Sequence, residues 1–535
     1  MKHNGFAGTG TLLRLFLRRD RFFLPLWILL PVALGMITAA TFSAMADQGI
    51  HGVLLEFDKD PLVSAILGPV MSFDLSGAIV WRGTSQLAIV LAIGSLLTVI
   101  RHTRTDEETG RSELLRAYQV GPYASLTAAL ILTIAANLVS GVMIASSIIV
   151  LGGDPAGSWV FGATLAVIGC FFAGIGALSV QLRENSGSAR GIGVAAIGLA
   201  IMIMIMNNLG GGDTLLKWIS PLAWPRVTKP FAGNYGWSLW YFASVSLIPV
   251  VISYLLSTRR DLGAGILPSR PGPAEASPNF SGTLALAWRL HKKSFFGWMI
   301  CILLYIVVFS AFSPGLSQSE GISGWLSSLG GTDWAEQAGL GYVFISIAIY
   351  LTSLVVAAYV INAVLRIKRE EIEGRAELIV DKQVSRIHWM SSHLIVAALG
   401  SAAMLLATGV AGGLAYGFVC GDLANSFGHI FSMSIAKIPA VWILLGSTAL
   451  LYGLRPSLTS VGWVPLLSFI LLELGWEAKI VDWSLIRISP FAYAHYTLDI
   501  SSLALLPLFW LLCLSFILMG SGLFAFRNRD ILTKT

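Results

Sequence analysis

The sequence predicts an all-α integral membrane protein of about twelve transmembrane helices, arranged as two homologous halves of six. Three observations predict it. Of 535 residues, 55% are apolar and only 12% charged, against roughly 25% charged in a soluble globular domain. Apolar runs long enough to cross a hydrocarbon layer of ~30 Å recur about twelve times. The chain also repeats itself, with four pairs of segments in the same order along its two halves.

The apolar runs lie at about residues 23–45, 84–101, 123–150, 158–181, 190–208, 237–257, 296–313, 341–365, 391–418, 433–453, 458–474 and 503–525. Lys and Arg concentrate in alternate connecting segments. Placing those segments inside, where positively charged loops are retained, puts both termini in the cytoplasm and the chain in the cell membrane. The formal net charge of +6 then reports topology and contact with anionic lipid, and no nucleic-acid partner is expected, because no basic soluble domain is present. Cys170, Cys301, Cys420 and Cys513 fall in or beside apolar runs without metal or redox spacing, and read as small packing residues. Ala44-Met45-Ala46 is similar to a signal-peptide cleavage site. The first run nevertheless has a counterpart at 296–313 that cannot be a signal peptide, so it is expected to be retained.

Taken in order, the repeats begin with GTLLRLFLRRDRFFLPLW (Gly10 to Trp27) and GTLALAWRLHKKSFFGW (Gly282 to Trp298). Arg14, Arg18 and Arg21, spaced i, i+4, i+7, share one helical face, and Leu13, Phe16 and Leu17 take another. Arg289, Lys292 and Lys293 repeat the idea. Each half is therefore expected to open with an amphipathic helix lying in the plane of the inner interface.

Next, TRTDEETGRSELL (Thr103 to Leu115) carries six charges in thirteen residues. Each charge at mid-bilayer would cost about 2.5–3.5 kcal/mol, so the stretch lies in water or against another protein. It recurs as KREEIEGRAELI (Lys368 to Ile379), with Glu107, Gly110, Arg111, Glu113 and Leu114 matched by Glu371, Gly374, Arg375, Glu377 and Leu378. Glu107 with Arg111, and Glu371 with Arg375, have the i, i+4 order that supports a short helix by a few tenths of a kcal/mol. Gly110 and Gly374 oppose that helix by roughly 1 kcal/mol, which points to a turn or a close backbone approach. One specific pattern is repeated where any soluble sequence would serve, so a partner-binding surface is expected. The last two repeats are LREN from Leu182 with LRPS from Leu454, in short inner loops, and ISPLAW (Ile219 to Trp224) with ISPFAY (Ile488 to Tyr493), in outer segments before each half's final span. Between the halves, GAGILPSRPGPAEASPNFSG is rich in Pro, Gly, Ser and Ala, as a flexible linker is. The expected domains are 1–262, a cytoplasmic linker 263–282 carrying an unused Asn279 sequon, and 283–535.

An acidic run, Gly, then Glu three residues later and an apolar residue, between the second and third spans of a six-span unit, resembles the coupling helix of type-2 ATP-binding-cassette (ABC) export permeases. The basic in-plane helix and the SP-containing outer segments fit the same family. The twelve-span arrangement is similar to exporters of polyketide antibiotics of the tetronasin type. Arg111 and Arg375 depart from that family's usual Thr after the Gly. The resemblance implies that Glu107, Gly110, Arg111, Glu113, Leu114, Glu371, Gly374, Arg375, Glu377 and Leu378 dock two copies of a cytoplasmic ABC ATPase. It also implies that ATP and Mg are bound by those partners, with no cofactor on this chain. The sequence has no G-x-x-x-x-G-K-[ST] loop to cradle phosphates. A transport subunit is therefore expected, not an enzyme, and it would move a hydrophobic or amphipathic compound out of a bacterial cell.

Two other classes fit the sequence less well. A major-facilitator transporter also has twelve spans and two related halves, but its Asp-Arg-x-Gly-Arg-Arg loop is absent. Proton coupling would want acids or His deep in the bundle, and Glu473 and Lys437 read as interfacial residues near span ends. A membrane enzyme would need a constellation that HWMSSH does not supply, since His388 and His393 are five apart with no Glu between them. No substrate-binding residue is assigned. Met202, Met204 and Met206, beside Asn207 and Asn208, could line an adaptable pathway, pack against other spans or face lipid.

Overall fold

The structure is a computed structural model that describes residues 5–45, 50–59, 61–111, 113, 120–261, 263–267, 282–316, 340–381, 384–477, 481–494 and 505–530. Twelve helices among them are long and apolar enough to cross a membrane, and no strand is present among the described residues. In lipid the backbone must satisfy its own polar groups, and helices built from such runs do so internally. The chain divides into two compact units, Met1–Gly272 and Pro273–Thr535.

The first unit opens with α1 (Thr9–Arg19) and α2 (Phe23–Met45), followed by α3 (Ile50–Lys59) and α4 (Pro61–Leu67). Next come α5 (Leu75–His102), the short α6 (Arg104–Glu108), α7 (Ala124–Val150), α8 (Pro155–Leu182) and α9 (Ser186–Leu209). Two single turns, α10 (Leu216–Ile219) and α11 (Pro225–Thr228), precede α12 (Ser238–Ser257). Helix α8 is central, packed on α5, α7 and α12, while α2 packs on α5. The starts are set by side chains that accept an otherwise orphaned N–H. Asp74 accepts from Gly77 at 2.7 Å, Asp154 from Gly157 at 2.9 Å and Asn185 from Ser188 at 2.7 Å. Such caps carry α5 upstream of the apolar run expected at 84–101.

The second unit comprises α13 (Gly282–Leu316), α14 (Leu340–Ile372), α15 (Arg375–Val380), α16 (Arg386–Cys420), α17 (Leu423–Ile435) and α18 (Ile438–Leu454). It ends with α19 (Trp463–Glu477), α20 (Trp483–Ile486) and α21 (Leu505–Asn528). Its core joins Tyr359 and Val360 of α14, Trp389 of α16, Tyr452 of α18 and Phe526 of α21.

Four differences from the sequence expectation have physical causes. Asp20 closes α1, its N–H bonding the Phe16 carbonyl, so Arg21 lies outside the helix whose face it was expected to share. The face that α1 buries is Leu12 and Phe16, against Ala124, Ala128 and Leu132 of α7, while Leu17 is exposed. In the second unit no break separates the basic segment from the span, and α13 runs continuously through both. Second, α3 and α4 occupy the segment between the first two spans, anchored by Asn208 to the Ala65 carbonyl at 3.1 Å. The buried Arg226 closes this region, donating to the Pro69 carbonyl at 2.7 Å and to the Leu67 carbonyl. Burial pushes its guanidinium down to about 10, against the favourable charge of Asp58. Third, the linker is not free from its first residue, because Ile266 and Leu267 donate to the Gln181 and Leu182 carbonyls, each at 3.0 Å. Its residues 268–281, with Asn279, lie outside the described residues. Fourth, Lys437 and Glu473, expected at the interface, are buried within the protein. Tyr350 donates to Glu473 at 3.1 Å, and the Lys437 ammonium lies 5.5 Å from the Tyr350 ring centroid.

The ISPLAW and ISPFAY segments behave alike. Pro221 and Pro490 each open a 3-10 turn, and Leu222 and Phe491 behind them are fully buried. Met204 packs in the first unit's core, whereas Met202 and Met206 are exposed.

Helices α7 and α8 cross where Gly141 faces Gly162, and a Cβ on either would collide with the other's carbonyl. Gly141→Leu is expected to destabilise the first unit by about 1–3 kcal/mol through overpacking. The check is unfolding in detergent, with Gly198→Leu, where a side chain meets open space, as control. Equal losses from the two variants would show that this crossing is not limiting.

Candidate functional site at the charged end of each unit

The repeated charged stretches form one end of each unit, and their carboxylates are organised in the same way. In the first unit, Glu107 accepts from Arg260, just past α12, at 2.6 and 2.9 Å, and from Arg104 at 2.5 Å. Arg104 also donates to the Glu184 and Gly263 carbonyls at 2.8 and 2.7 Å. Arg260 further holds Gln181 at 2.5 Å and the Ala264 carbonyl at 2.8 Å. In the second unit, Glu371 is buried and takes two bonds from Arg529, just past α21, each at 2.9 Å, and one from Tyr452 at 2.6 Å. Arg529 also lies over the Tyr452 and Phe526 rings, at 5.2 and 5.1 Å. Matched acids in the two stretches thus pair with matched arginines after each unit's last span.

The residue before each of these acids is also matched. Asp106 pairs with Arg111 at 3.5 Å and takes Arg19 of α1 at 2.8 Å on both oxygens. Glu370 pairs with Arg375 at 2.8 Å, and Arg375 also pairs with Glu373. The i, i+4 pairs expected from sequence, Glu107 with Arg111 and Glu371 with Arg375, do not form. Gly110 (φ +71) and Gly374 (φ +77) break the helix between the partners, and the arginine folds back to the acid one residue earlier. A side chain at either Gly would meet open space, so the backbone conformation, not a close approach, requires glycine.

Beyond the glycines, the expected partner-binding residues point outward. Arg111, Glu113, Arg375, Glu377 and Leu378 are exposed, Leu378 by 69%. Gly110 and Gly374 are half-buried. Leu114 lies outside the described residues. Glu107 and Glu371 face inward, committed to the pairs above. Glu108 accepts from the Ser186 N–H and hydroxyl at 2.5 and 2.6 Å, tying the stretch to the start of α9. A cavity of about 130 Å³ adjoins the first-unit network, with Leu12, Asp106, Glu107 and Arg260 in its lining. Arg260 and Arg529 were not singled out from sequence. The signal is Arg-Asp-Leu at Arg260 and Arg-Asp-Ile at Arg529, a fifth repeat placed directly after each unit's last span.

Asp20 is a second buried carboxylate, meeting His102 at 2.6 Å and Arg101 at 3.0 Å, and Phe16 stacks on the His102 ring. Burial works to raise its pKa, but the hydrogen bond and charge of His102, with Arg101 and Arg19, hold it below the ordinary aspartate value. His388 is exposed, whereas His393 is buried and bonded to His291 at 3.0 Å, so the two do not form a site. No cluster of metal-ligating side chains occurs among the described residues.

Twelve apolar helices with their charge gathered in paired networks at the helix ends define a multi-span membrane protein of the permease type. A family profile described as "Multidrug efflux system permease Rv1217c, C-terminal domain" matches residues 280–527. The chain is 35% identical to the "Multidrug efflux system permease protein Rv1217c" of Mycobacterium tuberculosis (strain ATCC 25618 / H37Rv), over 99% of this chain and 96% of that relative. The chain belongs to the family of this mycobacterial efflux permease.

Arg529→Ala would leave Glu371 buried without its cation, and is expected to cost about 3–5 kcal/mol in the second unit. The double change Glu371→Gln with Arg529→Met should recover most of that loss, and exposed Arg527→Ala should cost little. Unfolding in detergent checks all three, and additive single and double losses would show that the pair is not coupled. Asp20, with its pKa depressed, contributes stability above the ordinary aspartate pKa and loses it as pH falls through the depressed one. The stability gap between wild type and Asp20→Asn should therefore close between about pH 5 and pH 2. A gap constant across that range would contradict the pairing.

Proposed function

We propose that the chain is the membrane-spanning permease of an exporter whose energy comes from ATP hydrolysed on two separate ABC subunits. Its cargo would be hydrophobic or amphipathic compounds, among them antibiotics and ionophores, carried outward. The charged ends would lie in the cytoplasm, the side that their Lys and Arg content favours. The relative's name supports drug efflux, and the scarcity of charge within the spans suits an apolar cargo.

The observation that carries this reading is the twofold linkage. In both units exposed residues lead, across a glycine turn, to an acid paired with an arginine at the end of the last span. Docking and transmission are thereby divided between residues. Arg111, Glu113, Leu114, Arg375, Glu377 and Leu378 would contact the ATPase. Glu107 and Glu371 would carry its movement to α12 and α21, with Gly110 and Gly374 setting the angle between the two tasks. ATP drives transport only if the nucleotide-bound ATPase favours one arrangement of the spans over another. A desolvated ion pair suits that task, because parting it costs several kcal/mol and the element and the span therefore move together.

Glu113→Ala with Glu377→Ala and Leu378→Asp is expected to abolish co-purification of the ABC subunit and reduce drug export at least tenfold, while membrane abundance and unfolding stay unchanged. Undiminished export by this triple variant would sink the docking assignment.

A further inference from the structure

The two charged ends are built on different backbones. Helix α14 continues without a break to Ile372, so the second stretch extends the hydrogen-bond ladder of its span. In the first unit α5 stops at His102, Thr103 leaves helical geometry (φ −116, ψ −83), and α6 starts anew at Arg104. The offset that aligns Glu107 with Glu371 sets Thr103 against Ile367 and Arg104 against Lys368. A helix of five residues holds itself poorly. The direction of α6 beyond the break at Thr103 must therefore be set by side chains.

Arg104 is placed to set it. Its side chain is wholly buried, and its guanidinium reaches three separate pieces of chain. Nε donates to the Glu184 carbonyl, between α8 and α9, at 2.8 Å, Nη2 to the Gly263 carbonyl, at the start of the linker, at 2.7 Å, and Nη1 to Glu107 of α6 at 2.5 Å. The loop and the linker also join each other, because Ile266 and Leu267 donate to the Gln181 and Leu182 carbonyls. They lie so close that a Cβ on Gly265 would meet the Arg183 and Glu184 backbone at 2.7 Å. Arg260 reinforces the same junction, holding Glu107 and the Ala264 carbonyl. A planar fork can serve three acceptors at fixed angles, whereas a lysine ammonium is a single point on a flexible stem. The second unit uses that lysine: Lys368 is half-buried and donates to the Ser460 hydroxyl at 3.4 Å.

We infer that Arg104 is a positioning residue for transport, latching the first charged stretch to the α8–α9 loop and to the linker so that displacement of the stretch reaches both. Lys368, on a continuous helix, has no such task. The source of that displacement is taken from the ABC reading above, while the latch itself is a property of this chain.

The test uses the full chain in nanodiscs, with and without the ABC subunit. The variants are Arg104→Lys, which keeps the charge, and Lys368→Gln as the mirror control. In the chain alone, amide exchange over residues 104–111 and 263–267 should rise roughly tenfold in Arg104→Lys, with 368–375 and thermal unfolding unchanged. With the ABC subunit present, Arg104→Lys should bind it as wild type does but export severalfold less of an amphipathic fluorescent dye per ATP hydrolysed, and Lys368→Gln should match wild type. Should Arg104→Lys not fold, Gly265→Ala displaces the linker from the latch without touching the arginine, and should reproduce both effects. Unchanged exchange in both first-unit variants would overturn the latch. A dye-to-ATP ratio equal to wild type, with abundance and ATP hydrolysis lowered together, would overturn the positioning role by showing a merely structural one. An ABC subunit that does not bind the wild-type chain would refute the ABC reading instead, and the exchange measurement would still decide the latch.

Discussion

A carboxylate held by a guanidinium at the end of the last span is the contact on which the charged end of each unit depends. Glu371 is wholly buried, and two bonds from Arg529 with a third from Tyr452 replace the water it gives up. Removing either charge would strand the other in a medium that stabilises ions poorly. The pair fixes the end of α14 against the ends of α18 and α21. Glu107 does the same for the first unit, with Arg260 and Arg104 in place of Arg529 and Tyr452. With these acids anchored, the glycine turns that follow lead to exposed residues, Arg111 and Glu113 in the first unit and Arg375, Glu377 and Leu378 in the second.

The apolar runs of this sequence specify its helices closely, because in lipid a long run has few alternatives to helix. Boundaries slipped where polar residues continue a helix. Asp74 and Asp154 cap helices upstream of the apolar runs, and Arg104 to Glu108 extends one downstream. The small helices α3 and α4 were invisible to a search for spans, being short and of mixed composition. At the charged end, the pairings expected from sequence did not form. Spacing of i, i+4 assumes a continuous helix, and the glycine that signalled a turn is also what prevents that spacing from forming. Arg260 and Arg529 escaped notice because they lie some 150 residues from their partners, a separation that helical spacing cannot register.

Two related units in one chain need not stay alike. In the first, Asp20 neutralises its own neighbourhood. The second has Lys293 at the position matching Asp20 when the two Phe-Phe pairs are aligned, and Arg366 pairs there with Glu370. Two identical subunits related by symmetry would have to carry any such change twice. The ISPLAW and ISPFAY segments and the Glu–Arg pairs are common to both units, whereas the buried Lys437 is described only in the second.

Lys437 has a consequence for how the chain enters the membrane. Lys437 stands at the joint of α17 and α18, within the single membrane-crossing segment Leu423–Leu454, and a lone lysine at the middle of an inserting segment costs about 2.5–3.5 kcal/mol. Tyr350, synthesised earlier, offers its ring, but Glu473 arrives only with α19. The hairpin of α18 and α19, received by an α14 already in place, is then a better unit of insertion than either helix alone. Biogenesis of the second unit would thus follow an order that the first, without such a lysine, does not impose.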